Sequence, residues 1–308
     1  MDGLLIVDKP RGPTSHDVVA RMRRALGERR IGHTGTLDPM ASGVLPLVLG
    51  RATRLAQFLS GSDKHYDAII TLGVETDTYD ALGTPIGAPY EGPFPDRTAV
   101  DRALDQFRGA FLQQPPAYSA KKIAGVRSYK LARTRRSEAE AHPGAGGAEA
   151  DLPVPVSVTT HAIDLVAVSG ATVTLSVSCS AGFYVRSLAH DLGRALGAGG
   201  CLSALRRTGS GAATLAQAVP LDEAERDTDT AIRSIVPMRA LLVDLPCAVL
   251  TGEGRSHALH GRELSDTDFV SQAPREPRIR LLDQAGELVG IAGAGRAPGL
   301  LHPSVILM

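Results

Sequence analysis

The chain opens on an apolar run, "GLLIVDKP", that stops at Pro10, and the hydrophobic period then changes. A short continuous apolar run closed by proline predicts a buried strand. In "TSHDVVARMRRALG", Val18, Val19, Met22 and Leu26 recur at helical spacing, behind Thr14 or Ser15 as an N-cap and ahead of Gly27 as a stop. That pattern predicts an amphipathic helix. The stretch from Arg30 to Leu55 is rich in Gly and Pro and reads as irregular; its end, "ATRLAQFL", reads as a helix leading into a strand, "YDAIITLG". A second amphipathic helix is predicted over "TAVDRALDQFRGAF".

Further on, "AIDLVAVSGATVTLSVSCS" alternates, with Val173, Leu175, Val177 and Cys179 on one face, and Ser169-Gly170 marks a hairpin turn. "VRSLAHDLGRALG" returns to helical spacing. Beyond about Pro220 an acidic segment gives way to short strand-like pieces with Gly turns, such as "RIRLLDQAGELVGIAG" and "GLLHPSVILM". The expected organisation is α+β, with a catalytic-sized part over residues 1–225 and a small β-rich domain over 226–308. Between Arg135 and Pro155, "RRSEAEAHPGAGGAEADLPVP" has almost no large apolar residue and is expected to be a flexible surface insertion that supplies no core.

Composition narrows the class. A chain of 308 residues that is 43% hydrophobic can bury a large core. No run approaches the roughly 18 apolar residues of a membrane span, and the start is acidic rather than laid out as a secretory signal, so a cytoplasmic protein is expected. Cys179, Cys201 and Cys247 are too few and too scattered for a disulfide framework and form no C-x-x-C pair; structural zinc is not expected. The 33 basic and 33 acidic residues cancel, but not locally. From Ser119 to Arg136 the run holds Lys121, Lys122, Arg127, Lys130, Arg133, Arg135 and Arg136 with no acid, whereas acids gather in "LDEAERDTD". Such a run is either a solvated face or the contact surface for an anionic partner.

The common catalytic templates are absent: no P-loop, no G-x-S-x-G, no H-E-x-x-H, and no G-x-G-x-x-G set between a strand and a helix with its acid downstream. What stands out is a lone acid. Asp38, in "RIGHTGTLDPMASGVLPLVLGRATRL", is the only carboxylate between Glu28 and Asp63. Two readings of it stand: an Asx-turn or helix cap before Pro39, or a nucleophile or base in a loop whose Gly32, Gly35 and Gly43 let a ligand approach the backbone.

This segment closely resembles the catalytic motif of the TruB family of tRNA pseudouridine synthases. The resemblance continues in "GLLIVDKPRGPTSHDVV", "KHYDAIITLGVETDTYDALG", "QQPPAYSAKKIAGVRSYKLAR" and "GFYVRSLAHDLGRALGAGGCLSALRRTGSG", in the family's order and over most of residues 3–211. It implies a pseudouridine synthase fold, a central mixed or antiparallel sheet flanked by helices, with a small C-terminal domain of the RNA-binding PUA type. It also implies isomerisation of uridine 55 in the T arm of tRNA, with no cofactor and no metal, by a monomer with no obligate protein partner and no membrane attachment.

Residue by residue, the resemblance makes Asp38 the essential carboxylate, acting at the sugar as a nucleophile or as a base in an elimination. Tyr66 falls on the tyrosine that stacks on the flipped base, and Arg186 on an active-site arginine that keeps Asp38 ionised. Tyr184 is implied to contact the base, Leu205 to line the pocket, His33 to pack near the extruded nucleotide, and Lys9 to belong to the N-terminal motif. A uridine within a stem-loop must leave its stack to react, which calls for stacking surfaces and a basic flank. Lys121, Lys122 and Arg127 would give that flank. After "SYKLAR" the chain departs from the family, with "TRRSEAEAHPGAGGAEADLP" in place of a Gly- and acid-containing stretch. Two other readings remain on the same scaffold: a guide-RNA-dependent synthase, and a non-catalytic RNA-binding or RNA-folding factor.

Overall fold

The apolar opening run forms β1 (Gly3–Lys9) in a computed structural model that describes residues 1–119, 121–123, 126–128, 131, 134 and 153–307. Helix α1 (Ser15–Leu26) follows; Thr14 is its N-cap, in a reciprocal capping box with Asp17, and Gly27 closes it at φ 62°. Next come β2 (Ile31–His33), β3 (Ala41–Leu49), a 3-10 turn over Gly50–Leu55 running into α2 (Ala56–Leu59), and β4 (Lys64–Leu72). A small ribbon, β5 (Glu75–Thr76) and β6 (Pro85–Ile86), precedes α3 (Arg97–Leu104), β7 (Gly109–Gln113) and a second ribbon, β8 (Lys122–Ile123) and β9 (Val126–Arg127). The hairpin β10 (Val156–Ser169) and β11 (Thr172–Cys179) leads to α4 (Val185–Ala195) and β12 (Gly200–Ser210). The rest comprises β13 (Ala213–Thr214), β14 (Val219–Pro220), α5 (Leu221–Arg226), α6 (Thr228–Arg233), β15 (Val236–Pro237), β16 (Cys247–Val249), α7 (Gly252–Leu259), β17 (Ile279–Leu282), β18 (Leu288–Ala294) and β19 (Leu301–Ile306). The architecture is α+β.

Residue contacts divide the chain into two units, Met1–Ser62 with Ser210–Met308, and Asp63–Gly209. In the first, β1 pairs along its whole length with antiparallel β3, from Gly3 opposite Leu49 to Lys9 opposite Gly43, and also meets parallel β14. The C-terminal strands form a four-stranded sheet in the order β16-β17-β18-β19. Leu288, Ile291 and Leu307 from its end of the chain share a buried cluster with Leu4, Ile6, Val44 and Val48. Apolar burial of that kind, about 25 cal/mol per Å², seats the C-terminal β domain against β1 and β3.

Strand β3 corrects the irregular reading of the opening segment. "ASGVLPLVL" is buried at eight of its nine positions, so both faces are apolar and no alternation advertises a strand. Pro46 inside it is a further false breaker; its carbonyl accepts from the Thr34 N–H at 3.2 Å, which continues the pairing toward β2.

In the second unit the strand order is β12-β4-β11-β10-β7. The hairpin turns at Gly170, φ 55°, as the Ser-Gly pair predicts. The helix expected through "DQFRGAF" ends earlier: α3 stops at Leu104, one 3-10 turn covers Asp105–Phe107, and Gly109 at φ 76° starts β7, where Phe111 pairs with Val158. Pairing with β10 overrides the local helical spacing. A Cβ on Gly193 would lie 2.2 Å from the Gly200 nitrogen, so only glycine lets α4 lie this close to the start of β12. The insertion expected between 135 and 155 falls, up to residue 152, outside the described residues. Among the described residues no helix is long and apolar enough to cross a membrane, and no group of three or more His, Cys, Asp or Glu could hold a metal ion.

Candidate functional site

Asp38 sits half-buried in the loop between β2 and β3. Its two neighbours are held from the segment after β1. The Ser15 hydroxyl accepts from the Leu37 N–H at 2.8 Å and donates to the Leu37 carbonyl at 3.0 Å, while the Gly12 N–H donates to the Pro39 carbonyl at 2.8 Å. The Asp38 carbonyl accepts from Ala41 N–H at 3.0 Å. Every one of these bonds engages backbone atoms of the loop, so the chain on both sides of Asp38 is held in place. Lys9, fully buried, donates its ammonium to the carbonyls of Pro10 and Pro13, each at 2.9 Å, and so shapes the segment that carries Gly12. His33 lies at the end of β2, its ring edge-on to His16 with centroids 5.3 Å apart. Asp38, His33 and Lys9 all belong to the first unit.

Tyr66, Tyr184, Arg186 and Leu205 belong to the second. Tyr66 is half-buried on β4, on the same face as Lys64, because side chains two apart in a strand point the same way. Lys64 is 6% exposed; burial, and then the Arg207 charge, push its ammonium down to about 8. Across the sheet it is opposite Cys179, whose thiol burial pushes up to about 12. Tyr184 is the residue before α4, where its N–H donates to Gln113 Oε1 at 2.8 Å and its carbonyl accepts from Gln113 Nε2 at 3.0 Å. Leu205 is buried on β12.

Arg186 lies in the first turn of α4, where a buried cation meets the unfavourable end of the helix dipole and loses its water. Its partners answer that cost. Nη1 donates to the Thr78 carbonyl at 3.0 Å and faces Asp80 Oδ2 at 3.8 Å; Nη2 donates to the Tyr118 carbonyl at 2.9 Å. The side chains of Arg186 and Asp80 are 7% and 9% exposed. Asp80 Oδ1 accepts from the Thr78 hydroxyl at 2.9 Å and the Leu82 N–H at 3.0 Å, leaving Oδ2 for the guanidinium. Gly83 makes this turn possible, since a Cβ there would lie 2.3 Å from the Thr78 hydroxyl.

Asp80 is the residue that reading the sequence passes over. Its signal is present in "TDTYDALG": hydroxyls two and four residues before an acid, both of which bond to it, Thr76 through its carbonyl and Thr78 through its carboxylate. Of the basic run, Lys121 is exposed and its carbonyl accepts from the Ser128 N–H at 2.7 Å, while Lys122 and Arg127 are opposite one another in the β8/β9 ribbon. Tyr129, Lys130, Arg133, Arg135 and Arg136 lie outside the described residues.

Comparison with known proteins agrees along the whole chain. Residues 23–185 match the model of the TruB family pseudouridylate synthase N-terminal domain, and residues 186–243 match that of the tRNA pseudouridylate synthase B C-terminal domain. The chain is 41% identical over 310 residues to the tRNA pseudouridine synthase B of Solibacter usitatus, covering all of both chains. It is 42% identical over 313 residues to that of Burkholderia lata, covering all of this chain and 91% of the other. Among solved structures it is similar to a chain in an H/ACA RNP bound to a substrate RNA containing 2'-deoxyuridine, with TM-score 0.72, 25% identity and coverage of 99% of this chain and 85% of that one. A chain of a Cbf5-Nop10-Gar1 complex is similar at TM-score 0.70 and 25% identity, with the same coverage.

Proposed function

The chain belongs to the TruB family of tRNA pseudouridine synthases, and from that premise we propose that it isomerises uridine 55 in the T arm of tRNA. The N1–C1′ bond of the nucleoside breaks, a C5–C1′ bond forms, and the C5 proton is replaced at N1, so the reaction needs neither an oxidant nor an energy source. Asp38 is the carboxylate that attacks the sugar or removes its proton. The observation that supports this assignment is the loop frame: Ser15 and Gly12 hold the backbone on both sides of Asp38 and so fix where its side chain leaves the loop. Such preorganisation is what a catalytic group needs and a mere turn residue does not.

In the same reading Tyr66 stacks on the extruded uracil, Tyr184 contacts it, Leu205 lines its pocket, and His33 orders the nucleotide near it. Lys9 sets the shape of the N-terminal motif. Arg186 supplies a permanent positive charge that Asp80 keeps in place. Residues 1–225 carry the chemistry, and the C-terminal β domain, over 226–308, contacts RNA away from the reacting base. The protein acts as a monomer without an obligate protein partner. Identity of 39–42% over nearly full length to relatives named tRNA pseudouridine synthase B, against 25% to the H/ACA chains, favours the stand-alone tRNA branch.

The test is pseudouridine formation in an unmodified tRNA transcript, mapped to the nucleotide, with purified protein and a chelator present. Modification at uridine 55 alone is the expected result; binding without modification, restored by added partner proteins and guide RNA, would move the protein to the guide-dependent branch. A second prediction concerns the basic run. Replacing Lys121, Lys122 and Arg127 together with alanine should weaken tRNA binding and lower the slope of log affinity against log salt by roughly two to three. An unchanged slope would place the phosphates elsewhere.

A further inference from the structure

Tyr79 stands between the two residues that hold Arg186, Thr78 through its carbonyl and Asp80 through its carboxylate. Its backbone is in the left-handed region, φ 63°, which a bulky L side chain rarely adopts. A residue kept in that conformation must be held by its surroundings. Part of the hold is backbone pairing: the Tyr79 carbonyl accepts from Leu202 N–H at 3.0 Å, and the Ala81 N–H donates to the Leu202 carbonyl at 2.9 Å. The rest is its ring, which stacks on His190 with centroids 3.8 Å apart and planes 10° from parallel.

His190 is four residues beyond Arg186 on α4, so both side chains leave the helix on one face, one turn apart. The segment Thr78–Tyr79–Asp80 therefore grips α4 twice, at Arg186 by charge and hydrogen bonding and at His190 by ring stacking. Hydrogen bonding through Nδ1 does not account for the imidazole: the residue is 5% exposed and, among the described residues, its buried Nδ1 has no hydrogen-bond partner. What the site uses is the flat face of the ring.

We propose that the stacked pair Tyr79 and His190 is a positioning device for Arg186, fixing the turn that delivers Thr78 and Asp80 to the guanidinium. This rests on the reading that Arg186 serves the isomerisation. The groups facing His190 agree with a neutral ring. Burial lowers the proton affinity of the imidazole below the ordinary 6.5, opposed by Glu75 and helped by Arg194, and those two are paired with each other at 3.2 Å. Asp191 beside it is itself pushed up by burial. The folded protein thus binds fewer protons here than the unfolded chain, so the grip weakens as pH falls from about 6.5 downward.

The experiment measures single-turnover pseudouridine formation, tRNA affinity and melting temperature for Tyr79→Phe, Tyr79→Gly, His190→Phe, His190→Ala and Arg186→Met. Tyr79→Phe and His190→Phe keep the stack and should keep the rate. Tyr79→Gly and His190→Ala should slow the reaction roughly tenfold to a hundredfold without loss of tRNA affinity, and in Tyr79→Gly the ease with which glycine accepts φ 63° should offset part of the stability lost with the ring. The wild-type rate should decline on acidification below pH 6.5 with a step that His190→Phe lacks. Equal loss in the Phe and the small-residue variants would overturn the stacking role. An Arg186→Met variant with the wild-type rate would overturn the role of Arg186 and this inference with it; an inactive Arg186→Met beside fully active Tyr79→Gly and His190→Ala would overturn this inference alone.

Discussion

Asp38→Asn should bind tRNA as the wild type does and form essentially no pseudouridine, a rate loss of at least ~1,000-fold if the carboxylate acts directly on the nucleoside. The side chain keeps its size and loses its charge and its basicity. The bonds from Ser15, Gly12 and Ala41 run to backbone atoms of Leu37, Pro39 and Asp38, so the substitution leaves this frame intact. Melting temperature and affinity should therefore stay where they are while the chemistry disappears. Release of the C5 hydrogen from labelled uridine, followed in a single turnover, reads the step directly. A variant within tenfold of the wild-type rate would return Asp38 to the role of an Asx-turn residue before Pro39.

Elements whose information is local are legible in this sequence, and elements made by distant partners are not. Helix α1 announces itself because its cap, its apolar stripe and its Gly27 stop all lie within 14 residues. The Ser169-Gly170 turn does the same for the β10/β11 hairpin, whose alternation matches one covered face. Strand β3 is hidden because burial on both faces erases the alternation and Pro46 imitates a breaker. The end of α3 is hidden because β10, more than fifty residues later in the chain, recruits Phe111 into β7. The candidate site divides along the same line. Asp38 is conspicuous as a lone acid in a glycine-rich stretch. The frame around it depends on a hydroxyl 22 residues upstream of Leu37, and Asp80 owes its place to an arginine 106 residues downstream, contacts that no spacing pattern within one segment records.

The buried pair of Asp80 and Arg186 is where a single substitution should cost most in stability. Asp80→Ala leaves the guanidinium in the first turn of α4, 7% exposed, with carbonyl acceptors from Thr78 and Tyr118 but no carboxylate from Asp80, and it removes the Oδ1 that accepts from the Leu82 N–H and, at 2.9 Å, from the Thr78 hydroxyl. Removing one partner of a buried pair typically costs about 3–5 kcal/mol, which should show as a lower denaturation midpoint together with a large loss of rate. Asp80→Asn should fall between, because its amide oxygen can still serve Thr78 and Leu82 while its NH2 meets the guanidinium donor to donor. The decisive variant is the double one. Asp80→Ala with Arg186→Met removes both charges, so most of the lost stability should return, since a buried pair replaced by neutral side chains is often no less stable. Activity should not return with it. If stability and rate recover together, Arg186 matters only as a strut for the turn at Thr78–Asp80; if stability recovers and the rate does not, the guanidinium serves the reaction itself.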